Sequence, residues 1–237
     1  RFAELARKTA GEERDEQRKQ ELLDIAERCD WVPANSARTF LEGLQSIWFV
    51  QLAFQLETNG HSVSIGRFDQ FMWPFYSREI AAGQLTRDEA LEITLCFWLK
   101  LSEISKLKSW PCTQYFRGGA LFQNLTIGGL TRDGADATNE LSYIALDATE
   151  SMKLIQPPLT ARIHKTTPDE FLEACANVIS TGGGMPALCN DDIIVPSMLN
   201  RGGSVEDARE YTMIGCVEPT VQGKWGGRFG ACFFNMA

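Results

Sequence analysis

Through the first thirty residues apolar positions are sparse. Leu5, Leu22, Leu23 and Ile25 stand among Glu, Arg, Lys and Gln, which predicts an exposed helix with a thin apolar stripe. Trp31-Val32-Pro33 ends it, because the residue before a proline avoids the α region. From Ser36 or Thr39 the pattern strengthens: Phe40, Leu41, Leu44, Ile47, Trp48 and Leu52 recur at steps of three and four on more than one face, predicting a helix buried inside a large protein. Between Glu57 and Gln70 two glycines bracket alternating polar and apolar residues, a short strand or tight loop that runs into a helix over Phe68–Ile80. Thr86, with Glu89 at capping-box spacing, opens a helix within 85–108 that carries Leu95, Trp98 and Leu101.

Beyond a loop over Ser109–Gly119 the periodicity changes. Ala120–Gly129 reads as a buried strand, Ala137–Leu154 as a helix with Leu141, Ile144, Ala145 and Ala148 on one face, and Leu159–His164 as a strand. Thr167-Pro168-Asp169-Glu170 opens a helix whose stripe is Phe171, Leu172, Cys175, Val178 and Ile179. The triple glycine 182–184 predicts a helix end followed by close backbone approach. A helix over Ile193–Asn200 and a short one capped by Ser204 follow. Alternation of helix and strand from 117 to 216 predicts crossover units and a parallel or barrel sheet. Two regions result, a mostly helical outer layer over 1–110 and barrel strands with their helices over 111–237.

With 237 residues, 44% of them hydrophobic, the chain can bury a sizeable core as one large domain or two small ones. It opens without methionine inside a charged helix and stops in an apolar stretch, so a piece of one larger catalytic domain is expected. A net charge of −8 argues against nucleic acid and anionic membrane surfaces as partners. No apolar run reaches spanning length. Seven irregularly spaced cysteines form no disulfide framework and point to a reducing cytoplasm. Two histidines and no C-x-x-C give no zinc site, and no metal is expected. Neither glycine cluster, 182–184 or 223–230, fits a phosphate loop or a dinucleotide fingerprint.

The stretch most suited to chemistry is Tyr211–Pro219, YTMIGCVEP. In an extended segment Cys216 and Glu218 would face one space. A carboxylate beside a thiol suppresses the thiolate that a nucleophile needs. The pair makes better sense if the thiol loses a hydrogen atom and the carboxylate takes a proton.

GCVEP at 215–219, the serine-bearing segment Glu57–Gln70 (ETNGHSVSIGRFDQ) and FQN-x-T-x-GG at 122–129 together resemble the glycyl radical enzymes. The resemblance implies part of a ten-stranded α/β barrel wrapped by helices, and a cysteine, Cys216, that becomes a transient thiyl radical. It implies that Glu218 is the general base, as in the dehydratase, lyase and decarboxylase branches. The pyruvate formate-lyase branch has two adjacent cysteines at this point, where this chain has Gly215. By the same resemblance Ser64, or failing that Ser62, touches substrate hydroxyls; the competing role for both is to cap the following helix or to satisfy loop amides. Phe122 lines the substrate pocket or serves as a core residue of its strand, and Asp191 with Asp192 support the barrel or cap the next helix. His61 is read as a loop histidine.

Fourteen residues after the cysteine, where the glycerol and propanediol dehydratase branches have a hydroxyl-binding aspartate, this chain has Gly230. Phe229 and Phe233 replace more polar residues of the choline lyases. These departures favour a flatter, more apolar substrate, lined by Phe229 and Phe233, with Arg228 as partner for an anion. The implied activity is a dehydratase or other C–X lyase of anaerobic metabolism acting on a small organic molecule. The alternatives are a radical decarboxylase of an arylacetate-like acid and a catalytically inert fragment or interaction module. No cofactor is expected on this chain. The resemblance instead implies a glycyl radical on a C-terminal loop outside it, installed by a radical-SAM activase, and a homodimeric whole.

Overall fold

The computed structural model describes residues 1–58, 61–107, 109–115 and 121–225. Helices fill its first hundred residues, but the single opening helix expected from sequence is two: α1 (Phe2–Glu12) and α2 (Glu16–Trp31). Asp15 accepts the Arg18 N–H and starts a new N-cap, so α1 folds back and buries Ala3 and Ala6 beside Ala26. Thr39 caps α3 (Phe40–Glu57) by accepting the Glu42 N–H. After β1 (Gly66–Arg67), the helix expected over Phe68–Ile80 is broken at Met72 into α4 (Phe68–Phe71) and α5 (Trp73–Ala81). The Thr86–Glu89 capping box forms and opens α6 (Arg87–Glu103). A short helix, α7 (Trp110–Tyr115), occupies what sequence reads as loop.

Then come β2 (Leu125–Gly128), α8 (Glu140–Met152), β3 (Leu159–Ile163), α9 (Asp169–Ser180) and β4 (Ala187–Asn190). The four strands form a parallel sheet in the order β1-β2-β3-β4, the crossover arrangement the alternation predicts. β2 is shorter than expected because Phe122 has φ +54°, a left-handed conformation that ends extended backbone. One face of the sheet, with Leu125, Ile127, Leu159 and Ala161, packs into the main core with Phe68, Trp98, Leu141, Ile144 and Phe171. The chain returns through α10 (Asp191–Asn200) and α11 (Val205–Arg209) to an antiparallel hairpin of β5 (Thr212–Ile214) and β6 (Glu218–Thr220). Asn190, not Asp191 or Asp192, supplies the side-chain cap of α10.

Asp191 has another task. It and Arg162 are both fully buried and form a two-pronged ion pair, Nε to Oδ1 at 2.9 Å and Nη2 to Oδ2 at 2.7 Å. The Tyr211 hydroxyl donates to Asp191 Oδ1 at 2.7 Å, and Arg162 donates to the carbonyls of Arg209 and Tyr211. Strand β3, helix α10 and the root of the hairpin are therefore tied at one charged centre, in accord with the barrel support expected of Asp191. Asp192, exposed, accepts the Lys165 N–H instead.

Candidate active site

The hairpin places the thiol. β5 lies on the sheet face opposite the main core, where Thr126 Oγ1 meets Thr212 Oγ1 at 2.8 Å and accepts the Met213 N–H at 3.1 Å. Cys189, Tyr211, Met213 and Val221 bury a second apolar cluster beneath it. Ile214 pairs with Glu218, so Gly215, Cys216 and Val217 form the turn. This differs from the extended segment read from sequence, and the rule that residues two apart face one way does not operate across such a turn.

Gly215 is held on both sides. Its N–H donates to Ser64 Oγ at 3.0 Å, and its carbonyl accepts from Asn124 Nδ2 at 2.9 Å. Gly215 has φ +59°, and a Cβ there would come within 2.7 Å of Ser62 Oγ and 3.2 Å of Ser62 Cβ. Ser62 (φ +65°) and Phe122 (φ +54°) are left-handed as well. The Ser62 N–H donates to the Leu121 carbonyl at 2.7 Å, so the two segments beneath the turn are themselves joined.

Cys216 lines a cavity of about 620 Å³ at the edge where β2, β3 and β4 begin. Phe122, Asn124, Gln156, Leu159 and the triple-glycine loop share its walls. The thiol is exposed, yet the protein around it raises its pKa by desolvation, which keeps it protonated. A protonated thiol is a poor nucleophile and a suitable hydrogen-atom carrier.

The structure thus brings Cys216 and Phe122 to one cavity. Glu218, half-buried at the start of β6, is not among that cavity's described walls. Ser64 lies behind the hairpin, in a separate space of about 740 Å³ shared with His61, Ser62 and Thr212. Neither serine caps a helix, since α4 follows Arg67 without a side-chain cap, but Ser64 does satisfy a loop amide, that of Gly215. The His61 ring packs edge-on against Phe122, with centroids 5.2 Å apart. Phe229 and Phe233, with Arg228 and Gly230, lie outside the described residues. Sequence reasoning quoted Asn124 within FQN but missed its role. The available signal was a pair of amides, Gln123 and Asn124, entering a strand whose every residue is buried, where their hydrogen bonds must be met inside the protein. Among the described residues no group of three or more His, Cys, Asp or Glu could hold a metal ion, and no helix is long and apolar enough to cross a membrane.

A sequence model described as pyruvate formate lyase-like matches residues 1–237, the full span. The chain belongs to that family. Within the pyruvate formate lyase-like proteins it is 44% identical over 242 residues to the probable dehydratase YbiW of Escherichia coli K12, covering 100% of this chain and 30% of that protein. The glycerol-bound B12-independent glycerol dehydratase of Clostridium butyricum superposes with a TM-score of 0.90 at 43% identity, covering 94% of this chain and 28% of that one. A glycyl radical enzyme from Archaeoglobus fulgidus gives 0.89 at 40%, covering 94% and 29%. The 4-hydroxyphenylacetate decarboxylase glycyl radical subunit of Clostridioides difficile is 31% identical, covering 94% of this chain and 25% of its own length. The chain thus spans less than a third of the relatives it matches. These relatives are glycyl radical enzymes, and the four-stranded parallel sheet with its helices is this chain's part of their barrel fold.

Proposed function

We propose that the whole protein is a glycyl radical lyase that eliminates water or another group from a small organic substrate, with Cys216 as the hydrogen-atom carrier and Glu218 as the base. The observation that carries this reading is the position of Cys216: a thiol kept protonated, at the tip of a braced hairpin, opening on a cavity at the sheet edge. The radical glycine, outside this chain and installed by a radical-SAM activase, would supply the unpaired electron. A Cys216 thiyl then takes a hydrogen atom from substrate carbon, so that a C–H bond breaks homolytically and an S–H bond forms. Glu218 removes a proton from the neighbouring hydroxyl and returns it to the departing hydroxide as water. The product radical recovers the hydrogen atom from Cys216, which leaves the sequence redox-neutral. Orientation of thiol and base supplies much of the rate.

The cavity's Leu154, Ile155, Leu159, Val178 and Met185, with Lys153 at the rim, favour a second reading, decarboxylation of an arylacetate-like acid. Activated full-length protein incubated with diols, hydroxyproline and arylacetates separates the two. Carbon dioxide release without a carbonyl product would replace the dehydratase or C–X elimination reading with the decarboxylase one. Cys216→Ala and Glu218→Gln are expected to abolish turnover while the glycyl radical signal persists, and wild-type rates in either variant would refute that residue's role. A complete gene with no radical-glycine segment would instead favour an inert or interaction module.

A further inference from the structure

Resting on the role proposed for Cys216, we infer that Ser64 and Asn124 form a clamp on Gly215 that fixes where the thiol points and so sets the rate of hydrogen-atom transfer. Both are positioning residues. Ser64 comes from the segment before β1 and Asn124 from the segment before β2, and these are tied by the Ile65 N–H donating to the Asn124 carbonyl at 2.8 Å. Two neighbouring strands of the sheet therefore hold the peptide units on either side of the residue that precedes the thiol.

The chemistry of the amide fixes its orientation. The Gly215 carbonyl can only accept, so the Asn124 NH₂ must face it, and the same NH₂ reaches Thr160 Oγ1 at 3.0 Å. Asn124 Oδ1 is buried with no hydrogen-bond partner among the described residues. The side chain acts entirely through its two donor bonds, at a site that is 1% exposed. On the other side, the Ser64 hydroxyl lies 3.3 Å from the Ser62 carbonyl and 3.4 Å from the Phe122 carbonyl while accepting from Gly215. It therefore links all three left-handed residues around the turn. Cys216 and Val217 are exposed, so among the described residues the side-chain bonds nearest the thiol are the two on Gly215.

The step that this clamp serves is homolytic: the substrate C–H bond breaks, the S–H bond of Cys216 forms, and the unpaired electron moves to carbon. Its rate depends steeply on the sulfur-to-carbon distance, whereas substrate affinity is spread over the whole cavity wall, of which Cys216 is one part. Asn124→Asp keeps the shape but cannot make both donor bonds, since even a protonated carboxyl carries a single donor hydrogen for the Gly215 carbonyl and Thr160 Oγ1. Ser64→Ala removes the acceptor of the Gly215 N–H, and Ser64→Thr keeps it.

The test uses the activated full-length protein. Asn124→Asp and Ser64→Ala are expected to lower kcat by up to about 100-fold with KM little changed, as for a reacting group displaced by roughly 1 Å. Glycyl radical content should stay at the wild-type level and Ser64→Thr should recover most of kcat. The double variant should lose little more than the worse single one, because both side chains hold the same residue, Gly215, from its two ends. Unchanged kcat in both single variants, or a loss expressed only in KM, would overturn the clamp, as would equal losses in Ser64→Thr and Ser64→Ala. Cys216→Ala run alongside keeps the two ideas apart. If it is inactive while the clamp variants are normal, the clamp alone fails; if it turns over, the reading of Cys216 fails.

Discussion

Gly215→Ala probes the cysteine turn most directly. At φ +59° a residue with a Cβ loses about 1–2 kcal/mol relative to glycine. Its methyl would also stand 2.7 Å from Ser62 Oγ and 3.2 Å from Ser62 Cβ. The hydroxyl can rotate away from the first contact. The second meets a carbon fixed to backbone that is itself left-handed at φ +65°, so the turn or the Ser62 segment must give by a few tenths of an ångström. Together these effects give a destabilisation of about 1–3 kcal/mol, read by urea denaturation of the full-length protein. The displaced turn carries Cys216 with it, so kcat should fall by about 10- to 100-fold. Ser62→Gly in the Gly215→Ala background removes the contact but not the φ penalty and should restore part of both losses. A Gly215→Ala variant with wild-type stability and kcat would refute the reasoning, since neither the dihedral nor the contact would then matter. The same collision shows why a second cysteine could not occupy position 215 without a different turn or a retracted Ser62.

Other perturbations test separate parts of the structure. Arg162→Ala leaves Asp191 buried with the Tyr211 hydroxyl and the Leu130 N–H as hydrogen-bond partners but without its paired cation, and should cost about 3–5 kcal/mol in chemical denaturation. Thr86→Ala removes the cap that accepts the Glu89 N–H and should cost about 1 kcal/mol by the same measurement. Asp69 is fully buried, and burial raises its pKa despite donors from Gly128 and Ser142. The folded state therefore binds its proton more tightly than the unfolded state, and stability must fall as pH rises from the ordinary carboxylate range through the raised value. Asp69→Asn should lose that dependence and gain on wild type across the window; parallel pH–stability curves would contradict it. Alkylation of Cys216, followed by peptide mass spectrometry, should titrate above the free-thiol value of about 8.5, because desolvation raises its pKa.

What sequence conveys and what it hides divide along the range of the interactions. The α6 capping box, the stripe of α9 and the strand–helix alternation are local, and each was readable because the residues that satisfy one another lie within a turn or two. The split at Asp15 shows the limit of pattern alone, since a thin apolar stripe continues through a break that one capping carboxylate creates. Nothing local ties Arg162 to Asp191 and Tyr211, which lie 29 and 49 residues away, and a strand arginine reads from sequence as an exposed one.

The candidate site divides the same way. Cys216 was legible as chemistry because a thiol followed by a carboxylate, a proline and a glycine-rich run is an unusual combination. Its placement was not, because the turn is held by Ser64, 151 residues before Gly215, and by Asn124, 91 residues before it. Each holding side chain has an ordinary local explanation, a loop serine and a polar residue at a strand entrance. Their joint purpose appears only when parallel pairing sets β1 beside β2 and the hairpin crosses both. A thiol proposed to exchange a hydrogen atom with carbon has to be positioned to within a fraction of an ångström, and rigid strands supply a precision that a three-residue turn alone does not. The candidate thiol can therefore be picked out from GCVEP read together with the other segments of the family resemblance, whereas its orientation is a property of the sheet.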